Sequence, residues 1–211
     1  MATGAAEQIR ADIEEAILSG RLPTGSRVNA DHHARRLGVS HIPVREALHA
    51  LAADGWIVQR RHQGAFVRAY DPVELADLFE ARSHLEGSIA VLAAQRRTAA
   101  QLAVLEEILV RQAGTTESAE LARINAEFHV AVAECAQNTL LVGYLRDLTK
   151  RVRFYFLPAA VSRRDDSLAE HRQIVDAIQR RDADLAKDLV LAHIADTRLT
   201  VQMLTGQERP A

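Results

Sequence analysis

Three histidines and one asparagine are the residues of this chain that most strongly suggest a site. Asn125 and His129 lie four residues apart in "LARINAEFHVAV", one helical turn, so their side chains can meet at one point. His171 lies in "SLAEHRQIVDAI" and His193 in "DLAKDLVLAHIADT". Helical periodicity places each histidine on the apolar side of its own segment. The apolar rows are Leu121, Ile124, Phe128 and Val132; Leu168, Ile174, Val175 and Ile178; and Leu185 and Leu189.

A lone inward histidine is usually a core residue that hydrogen-bonds a backbone carbonyl. Three of them beside an amide are harder to satisfy, because each unpaired buried polar group costs about 1–3 kcal/mol. A metal ion would take up their lone pairs, and helical bundles build such sites from facing helices. We therefore predict a divalent transition-metal site at Asn125, His129, His171 and His193. Imidazole-rich sites suit zinc, nickel, copper and iron, and we expect zinc or nickel here.

Arg82 interrupts an apolar row in "ELADLFEARSHLEGSIAVL". A buried guanidinium needs an anion. That anion is either a bound effector or a carboxylate of the protein such as Glu86. In a third interpretation, the side chain extends to solvent and its guanidinium is not buried. The residues alone leave these readings open. Further effector-binding candidates, chosen by location alone, are Tyr144, Arg146, Arg153 and Tyr155.

A bundle of helices must position these residues. From Val73 onward the sequence shows helical periodicity with only short breaks. The predicted helices cover residues 73–97, 99–112, 117–137, 139–157, 165–181 and 182–204. Residues 73–211 are therefore predicted to form an antiparallel all-α bundle of about six helices.

The first 69 residues have a different organisation. After a first helix, "LPTGSRV" is a turn sequence. Helices over 30–37 and 42–54, separated by "GVSH", form a helix-turn-helix pattern. The β-prone runs "WIVQ" and "AFVR" joined by "RRHQG" are typical of a two-stranded wing. We predict a winged helix-turn-helix domain at 1–69 and a linker at 70–72, so that the fold as a whole is mostly α.

The helix-turn-helix predicts a DNA interface, because its second helix enters the major groove and meets base edges with its first turn. Arg45 is the strongest candidate, since a guanidinium can contact guanine O6 and N7 together. The alternative is that Arg45 pairs with Glu46, Asp31 or Asp54 on a solvated helix. Ser40 is also placed to cap this helix. The predicted DNA-binding residues are Arg35, Ser40, His41, Ile42, Arg45, Arg61, His62, Gln63 and Gly64, with Arg60 beside them in the wing.

Composition excludes several classes of protein. A chain of 211 residues that is 48% hydrophobic suits one large or two small domains. No run approaches the roughly 20 apolar residues that span a bilayer, and no signal sequence is visible, so we expect a cytoplasmic protein without a membrane partner. The single cysteine, Cys135, agrees with a reducing compartment. Residues 1–69 carry nine Arg against seven Asp or Glu, a mild excess that is compatible with phosphate binding.

The segments "AILSGRLPTGSRVN", "LGVSHIPVREAL" and "GAFV" resemble the DNA-binding domain of GntR-family transcription regulators, specifically the FadR-like branch. The second half resembles the ligand-sensing helical domain of these regulators, called FCD, which would make 73–211 an effector-binding and dimerisation domain. The resemblance implies a homodimeric repressor that binds a near-palindromic double-stranded operator and responds to a small organic acid. Metal-binding members use an Asp or Asn, a His four residues later and two later His, an order that Asn125, His129, His171 and His193 follow. An arginine at the place of Arg82 commonly binds the effector carboxylate.

The sequence departs from the family pattern at positions that bear on base recognition. His41 and Ile42 stand where the family usually has Arg and Thr before the proline, and His33 stands where a leucine is common. The operator sequence is therefore expected to differ from that of relatives.

Two other functions compete with a ligand-responsive regulator: a metal-dependent hydrolase or lyase of small carboxylates, and a purely structural metal site. The enzyme is disfavoured because no HExxH, no paired carboxylates and no Ser or Cys nucleophile are visible by spacing. Glu127 and Glu170 adjoin the proposed ligands in sequence but are expected to project to other faces of their helices.

Overall fold

The computed structural model describes residues 2–206, and the chain divides between Tyr70 and Asp71 into two compact units. Within the described range, every helix is too short or too polar to span a bilayer. The first unit is a winged helix-turn-helix and the second an all-α bundle, as predicted.

The first unit contains three helices and a small sheet among the described residues. Asn29 accepts a hydrogen bond from the His32 amide and so caps the second helix, which ends at Gly38 in the left-handed conformation (φ 63°). The apolar side of the third helix, with Val44, Leu48 and Leu51, is buried. The helices are α1 Ala2–Leu18, α2 Ala30–Leu37 and α3 His41–Ala53; the strands are β1 Arg27–Val28, β2 Ile57–Arg60 and β3 Gly64–Val67.

The sheet has one strand more than the predicted wing. The order is β1-β3-β2 with antiparallel neighbours, and Val28 lies opposite Ala65. β1 lies in "LPTGSRV", which sequence reasoning took for a turn alone, because two residues are too few to show an alternating pattern. At the wing tip His62 has φ 61° and Gly64 has φ 104°. A glycine suits that second position, since side chains disfavour such a conformation.

The second unit contains six α-helices among the described residues, which confirms the predicted bundle. Side chains of Asp71, Thr98, Asn138 and Asp182 accept hydrogen bonds from first-turn amides and fix where four of the helices begin. A short 3-10 turn, Leu157–Ala159, precedes the fifth helix. The helices are α4 Pro72–Arg96, α5 Ala99–Ala113, α6 Ser118–Cys135, α7 Thr139–Phe156, α8 Arg164–Gln179 and α9 Ala183–Thr205.

The buried side of α9 differs from the predicted one. Leu185 is 41% exposed and Leu189 is only partly buried, so they do not form the core row that was expected to lead to His193. At about 100° per residue, Leu185 is about 80° round the helix from His193. The buried row is Ala186, Val190, His193, Ile194, Thr197 and Val201. On the facing helix, a Cβ at Gly87 would lie 3.3 Å from Leu191 Cδ2, so this glycine allows α4 and α9 to pack closely.

Replacing His33 by leucine is expected to stabilise the first unit and flatten its pH dependence. His33 is 8% exposed, and its Nδ1 has no hydrogen-bond partner among the described residues. Burial, assisted by the charge of Arg36, lowers the pKa of His33 below 6.5. The unfolded state therefore binds more protons as the pH falls through 6.5, and the free energy of unfolding decreases. His33→Leu should add on the order of 1 kcal/mol near pH 7.

Urea denaturation followed by the fluorescence of Trp56, the single and buried tryptophan, measures this unit. His32→Leu, which removes the exposed neighbouring imidazole, is the matched control and should keep the wild-type loss of stability between about pH 7 and pH 5. An unchanged pH dependence in His33→Leu would contradict the role given to this histidine.

Candidate metal centre and nucleic-acid interface

Three imidazoles from three helices meet in the core of the second unit. His129 of α6, His171 of α8 and His193 of α9 are each at most 2% exposed. One ring nitrogen from each lies within 4.8 Å of those of the other two. The Phe128 ring stacks on His171 with 3.7 Å between centroids. Because metal–nitrogen bonds are about 2.0–2.1 Å, one ion can reach all three rings after small side-chain movements.

Each imidazole is oriented by a hydrogen-bond acceptor at its Nδ1 atom. An ionised carboxylate or an amide oxygen can only accept, so each Nδ1–H donates and each Nε2 keeps its lone pair. Metal-binding histidines are commonly held by such partners, which fix the ring orientation and raise ligand basicity. The distances are 2.7 Å for His129–Glu86, 2.8 Å for His171–Gln112 and 2.6 Å for His193–Glu170.

Two of the imidazoles bring their Nε2 atoms close together. The Nε2 atoms of His129 and His193 are 3.2 Å apart. When both rings are neutral and donate from Nδ1 to carboxylates, neither Nε2 carries a proton that could be shared between them. Arg82 Nη2 lies 3.3 Å from His129 Nε2 and partly compensates this electron-rich centre. A cation bound between the rings would relieve the remaining repulsion.

Burial favours the neutral form of His171 and His193, and neighbouring charges and hydrogen bonds keep the carboxylates of Glu86 and Glu170 ionised. Burial lowers the pKa of His171 well below its usual value, and neighbouring positive charges add to the effect. It also lowers the pKa of His193 to about 4, although the hydrogen bond to Glu170 opposes the shift. Burial would raise the pKa of Glu86, but the Arg82 guanidinium holds it well below its usual range. Neutral imidazole is the form that binds metal ions.

Three buried polar atoms around the cluster lack a hydrogen-bond partner among residues 2–206. They are Nε2 of His171, Oδ1 of Asn125 and Nη1 of Arg82. Asn125 is 3% exposed and precedes His129 by one helical turn. Each unsatisfied atom costs about 1–3 kcal/mol, which is a reason to expect a bound species. Two of the atoms are metal-ligand types and the third is an anion donor, so these residues fit a metal ion together with an anion.

Arg82 forms an ion pair within the protein and also keeps a donor for a bound anion, two of the three possibilities that the sequence left open. Its Nε donates to Glu86 Oε1 at 2.6 Å, so the internal ion pair exists. The side chain is 1% exposed, which rules out the solvent-directed reading. Its Nη1 still has no partner in the described chain, and the guanidinium therefore retains a donor for a further anion.

Two of the predicted effector residues on α7 do not reach this cluster. Tyr144 is 63% exposed, and Arg146 pairs with Glu134 at the surface at 2.7 Å. α7 turns Leu145 towards the core, and the residues on either side of it face solvent. Tyr144 and Arg146 therefore lie at the surface and not among the buried residues around the histidines, and their role in effector binding stays a prediction.

The other two α7 candidates have different surroundings. Arg153 is half-buried, and its role in effector binding stays a prediction. Tyr155 is buried, and its hydroxyl donates to Glu74 Oε2 at 2.7 Å, a structural contact with the first turn of α4.

Sequence reasoning missed the three acceptors Glu86, Gln112 and Glu170. Glu86 was considered only as a partner of Arg82, and a single Gln112 on α5 gives no signal. Glu170 was expected to face away from the site. It does point away from His171, but it extends towards α9 and contacts His193 there. Glu127 does face elsewhere and pairs with Arg111 and Arg123.

The nine predicted DNA-binding residues of the first unit are all exposed. Ser40 is the residue before α3, but its hydroxyl makes no capping hydrogen bond and so is available to other partners. Arg35 donates to the Asp31 carbonyl at 3.3 Å within α2. An open groove of about 310 Å³ separates α3 from the wing. Its polar lining consists of Arg45, His49, Gln59, Arg60 and His62.

Arg45 is not held by the carboxylates that were considered as its partners. Asp31 lies 3.6 Å from His41, and Asp54 lies 3.6 Å from Arg10. In the described part of the chain no ion pair of Arg45 is present. Its guanidinium therefore lies exposed at the groove, as a base or phosphate contact requires.

Both units match known protein families. Residues 5–67 match the gntR family of bacterial regulatory proteins, and residues 77–196 match the FCD domain. The chain belongs to the gntR family. It is therefore a DNA-binding transcriptional regulator with an FCD domain, and the hydrolase or lyase alternative is excluded.

Similar proteins include other GntR-type regulators. The Nta operon transcriptional regulator of Aminobacter aminovorans is 35% identical over 172 residues, which cover 81% of each chain. The "Probable D-xylose utilization operon transcriptional repressor" of Paenarthrobacter nicotinovorans is 33% identical over 196 residues, 92% of this chain and 87% of the relative. The solved structure of McbR/YncC from E. coli has a TM-score of 0.79 at 21% identity, covering 94% and 97% of the two chains, and shares the fold.

Replacing His171 and His193 together by alanine is expected to abolish metal binding, because two of three imidazole ligands are lost. The purified protein is stripped with a chelator, reloaded with Zn(II) and dialysed, and bound metal is measured by plasma mass spectrometry. We expect about one ion per chain in the wild type and none in the double variant.

His84→Ala removes an exposed imidazole from α4 and should keep the wild-type metal content. Asn125→Asp offers a carboxylate in place of the amide and should tighten zinc binding if Asn125 coordinates the ion. Equal metal content in the wild type and in a folded double variant would place the site elsewhere.

Arg45→Ala is expected to weaken operator binding about 5- to 150-fold per half-site at fixed salt, the effect of losing one bidentate base contact. The operator is first selected from a random duplex library with the wild-type protein, and affinities are measured by fluorescence anisotropy. Arg21→Ala removes an equal charge from the loop after α1 and is the control. Unchanged affinity in Arg45→Ala would refute the assignment of α3 as the recognition helix.

Proposed function

We propose that this GntR regulator is a homodimeric repressor whose FCD domain binds a divalent transition metal and, beside it, a small organic acid. One observation carries the proposal: three buried imidazoles converge with their Nδ1 atoms held by acceptors, and ligand-type atoms around them lack partners.

The metal would be held by the Nε2 atoms of His129, His171 and His193 and by Oδ1 of Asn125. Three imidazoles favour zinc or nickel over manganese or magnesium, which prefer carboxylates. A bound dication would supply positive charge and open coordination positions for an anionic effector. Glu86, Gln112 and Glu170 would keep the three rings in the metal-binding orientation.

Arg82 supports an anionic effector. The charged groups in contact with the rings are the buried guanidinium of Arg82, the buried carboxylate of Glu86 and the partly exposed carboxylate of Glu170, which also pairs with Arg163. A dication leaves this centre with a positive excess, which a carboxylate would offset. Nη1 of Arg82 is the donor that such a carboxylate would accept from.

The DNA-binding unit supplies the output. Each protomer would present α3 to one half-site of a near-palindromic operator, with the wing along the backbone. The effector would favour one pose of the DNA-binding units over another, and a coupling of about 1–3 kcal/mol would change operator affinity about 5- to 150-fold.

A structural metal is the second candidate, because Asn125 and the three histidines together supply the four ligands of a closed tetrahedral shell. In that case the metal would stabilise the bundle, and no small molecule would bind to it.

Metal-loaded protein is expected to gain thermal stability from small carboxylates, and the gain should disappear after chelation. The screen uses mono-, di- and hydroxy-carboxylates, with neutral sugars included because one relative is named for D-xylose utilization. Arg82→Gln should lose the response to carboxylates while it keeps the bound metal, and Arg111→Gln, which removes a surface arginine from α5, should retain both.

An active carboxylate is then added to the protein–operator complex, where it should lower the affinity. Stabilisation by metal with no response to any carboxylate would favour the structural site. A response that survives chelation or Arg82→Gln would overturn the proposed pocket, and tighter DNA binding with effector would overturn release of the operator by the effector.

A further inference from the structure

Ile42 is an exposed aliphatic residue in the first turn of the recognition helix. Its side chain is 66% exposed, whereas the other large aliphatic residues of α3 (Val44, Leu48 and Leu51) are at most 7% exposed. A single exposed isoleucine on a protein surface needs no explanation. This one, however, lies among polar and basic residues where the first turn of the helix meets base edges.

The neighbours of Ile42 define a surface complementary to DNA. Ser40 has no capping hydrogen bond, and Arg45 has no ion pair in the described chain. His41 lies 3.6 Å from Asp31 of α2 and so is drawn to the α2 side of the turn. Ile42 and Arg45 are three residues apart and therefore lie on the same face of α3.

An isoleucine side chain has no hydrogen-bond donor or acceptor, so it can read only an apolar group in the major groove. The C5-methyl of thymine is the apolar group that the four base pairs present there. We propose that Ile42 reads a thymine C5-methyl in each operator half-site, a role that rests on the proposed function of α3 as the recognition helix.

The position of that thymine follows from helix geometry. Side chains three residues apart on one helix face have Cβ atoms about 5–6 Å apart. Base pairs in B-DNA are stacked about 3.4 Å apart. The thymine read by Ile42 therefore lies one or two base pairs from the base contacted by Arg45. Ile42 and Arg45 together would recognise a thymine methyl group and a guanine that lie one or two base pairs apart, rather than two bases that are both read by hydrogen bonds.

The test removes the methyl group and nothing else. Each thymine of the selected operator is replaced in turn by deoxyuridine, and affinities are measured for the wild type and for Ile42→Ser, which removes every methyl group from this side chain. Burial of one methyl is equivalent to about a fourfold change in affinity. We expect one thymine per half-site at which deoxyuridine weakens wild-type binding about fourfold, and about 15-fold when both half-sites carry it. Ile42→Ser should bind the thymine and deoxyuridine operators equally.

Val58→Ser makes the same kind of exchange at another exposed β-branched residue, on β2, and should keep the full response to deoxyuridine. The inference is overturned if no thymine shows a methyl effect that depends on Ile42, or if Val58→Ser abolishes the effect as Ile42→Ser does. Arg45→Ala on the same operators separates the two levels. If Arg45→Ala weakens operator binding while removal of the thymine methyl group has no effect, only the role of Ile42 is refuted. If neither change affects the affinity, the assignment of α3 as the recognition helix is refuted as well.

Discussion

The burial of three imidazoles in one core is the constraint on which the second unit depends. Each ring has two nitrogens that must be satisfied away from water, and one acceptor serves only one of them. α4, α5 and α8 each contribute an acceptor to an Nδ1 atom, while α6, α8 and α9 contribute the rings. Five of the six helices are thereby fixed in rotation by polar contacts. The same contacts leave one nitrogen of each ring close to the others, so a single ion could satisfy the atoms that packing alone leaves without partners.

The parts of this site that could be predicted are those that depend on local periodicity. Asn125 and His129 are one turn apart in any α-helix, and a histidine among buried residues such as Ile174 and Val175 must also face inward. What could not be predicted depends on how helices rotate against each other. Leu185 looked like a core residue because a leucine usually is one, but α9 is rotated so that another row is buried.

The same limit applies to the polar residues. Tyr144 and Arg146 were chosen by their location alone, and the sequence does not show that α7 buries Leu145 between them. Glu170 was set aside because it is about 100° round α8 from His171, yet that is the side on which α9 brings His193. In the first unit, β1 was not predicted because a strand of two residues is too short to show an alternating pattern of apolar and polar residues. The helix-turn-helix was predicted in full because its turns and helices are all local.

The two units place their functional side chains in opposite environments. In the first unit, Arg45 and Ile42 are exposed, so they would be removed from water only when DNA binds. In the second unit, Arg82 and the three histidines are already buried when the protein folds. A regulator needs the second unit to favour one operator-binding state. Whatever the path between the units, that coupling is reciprocal: an effector that weakens operator binding by some factor must itself be bound more weakly by the same factor on operator DNA. The affinity of the proposed metal centre for an acid effector would therefore depend on whether the operator is bound.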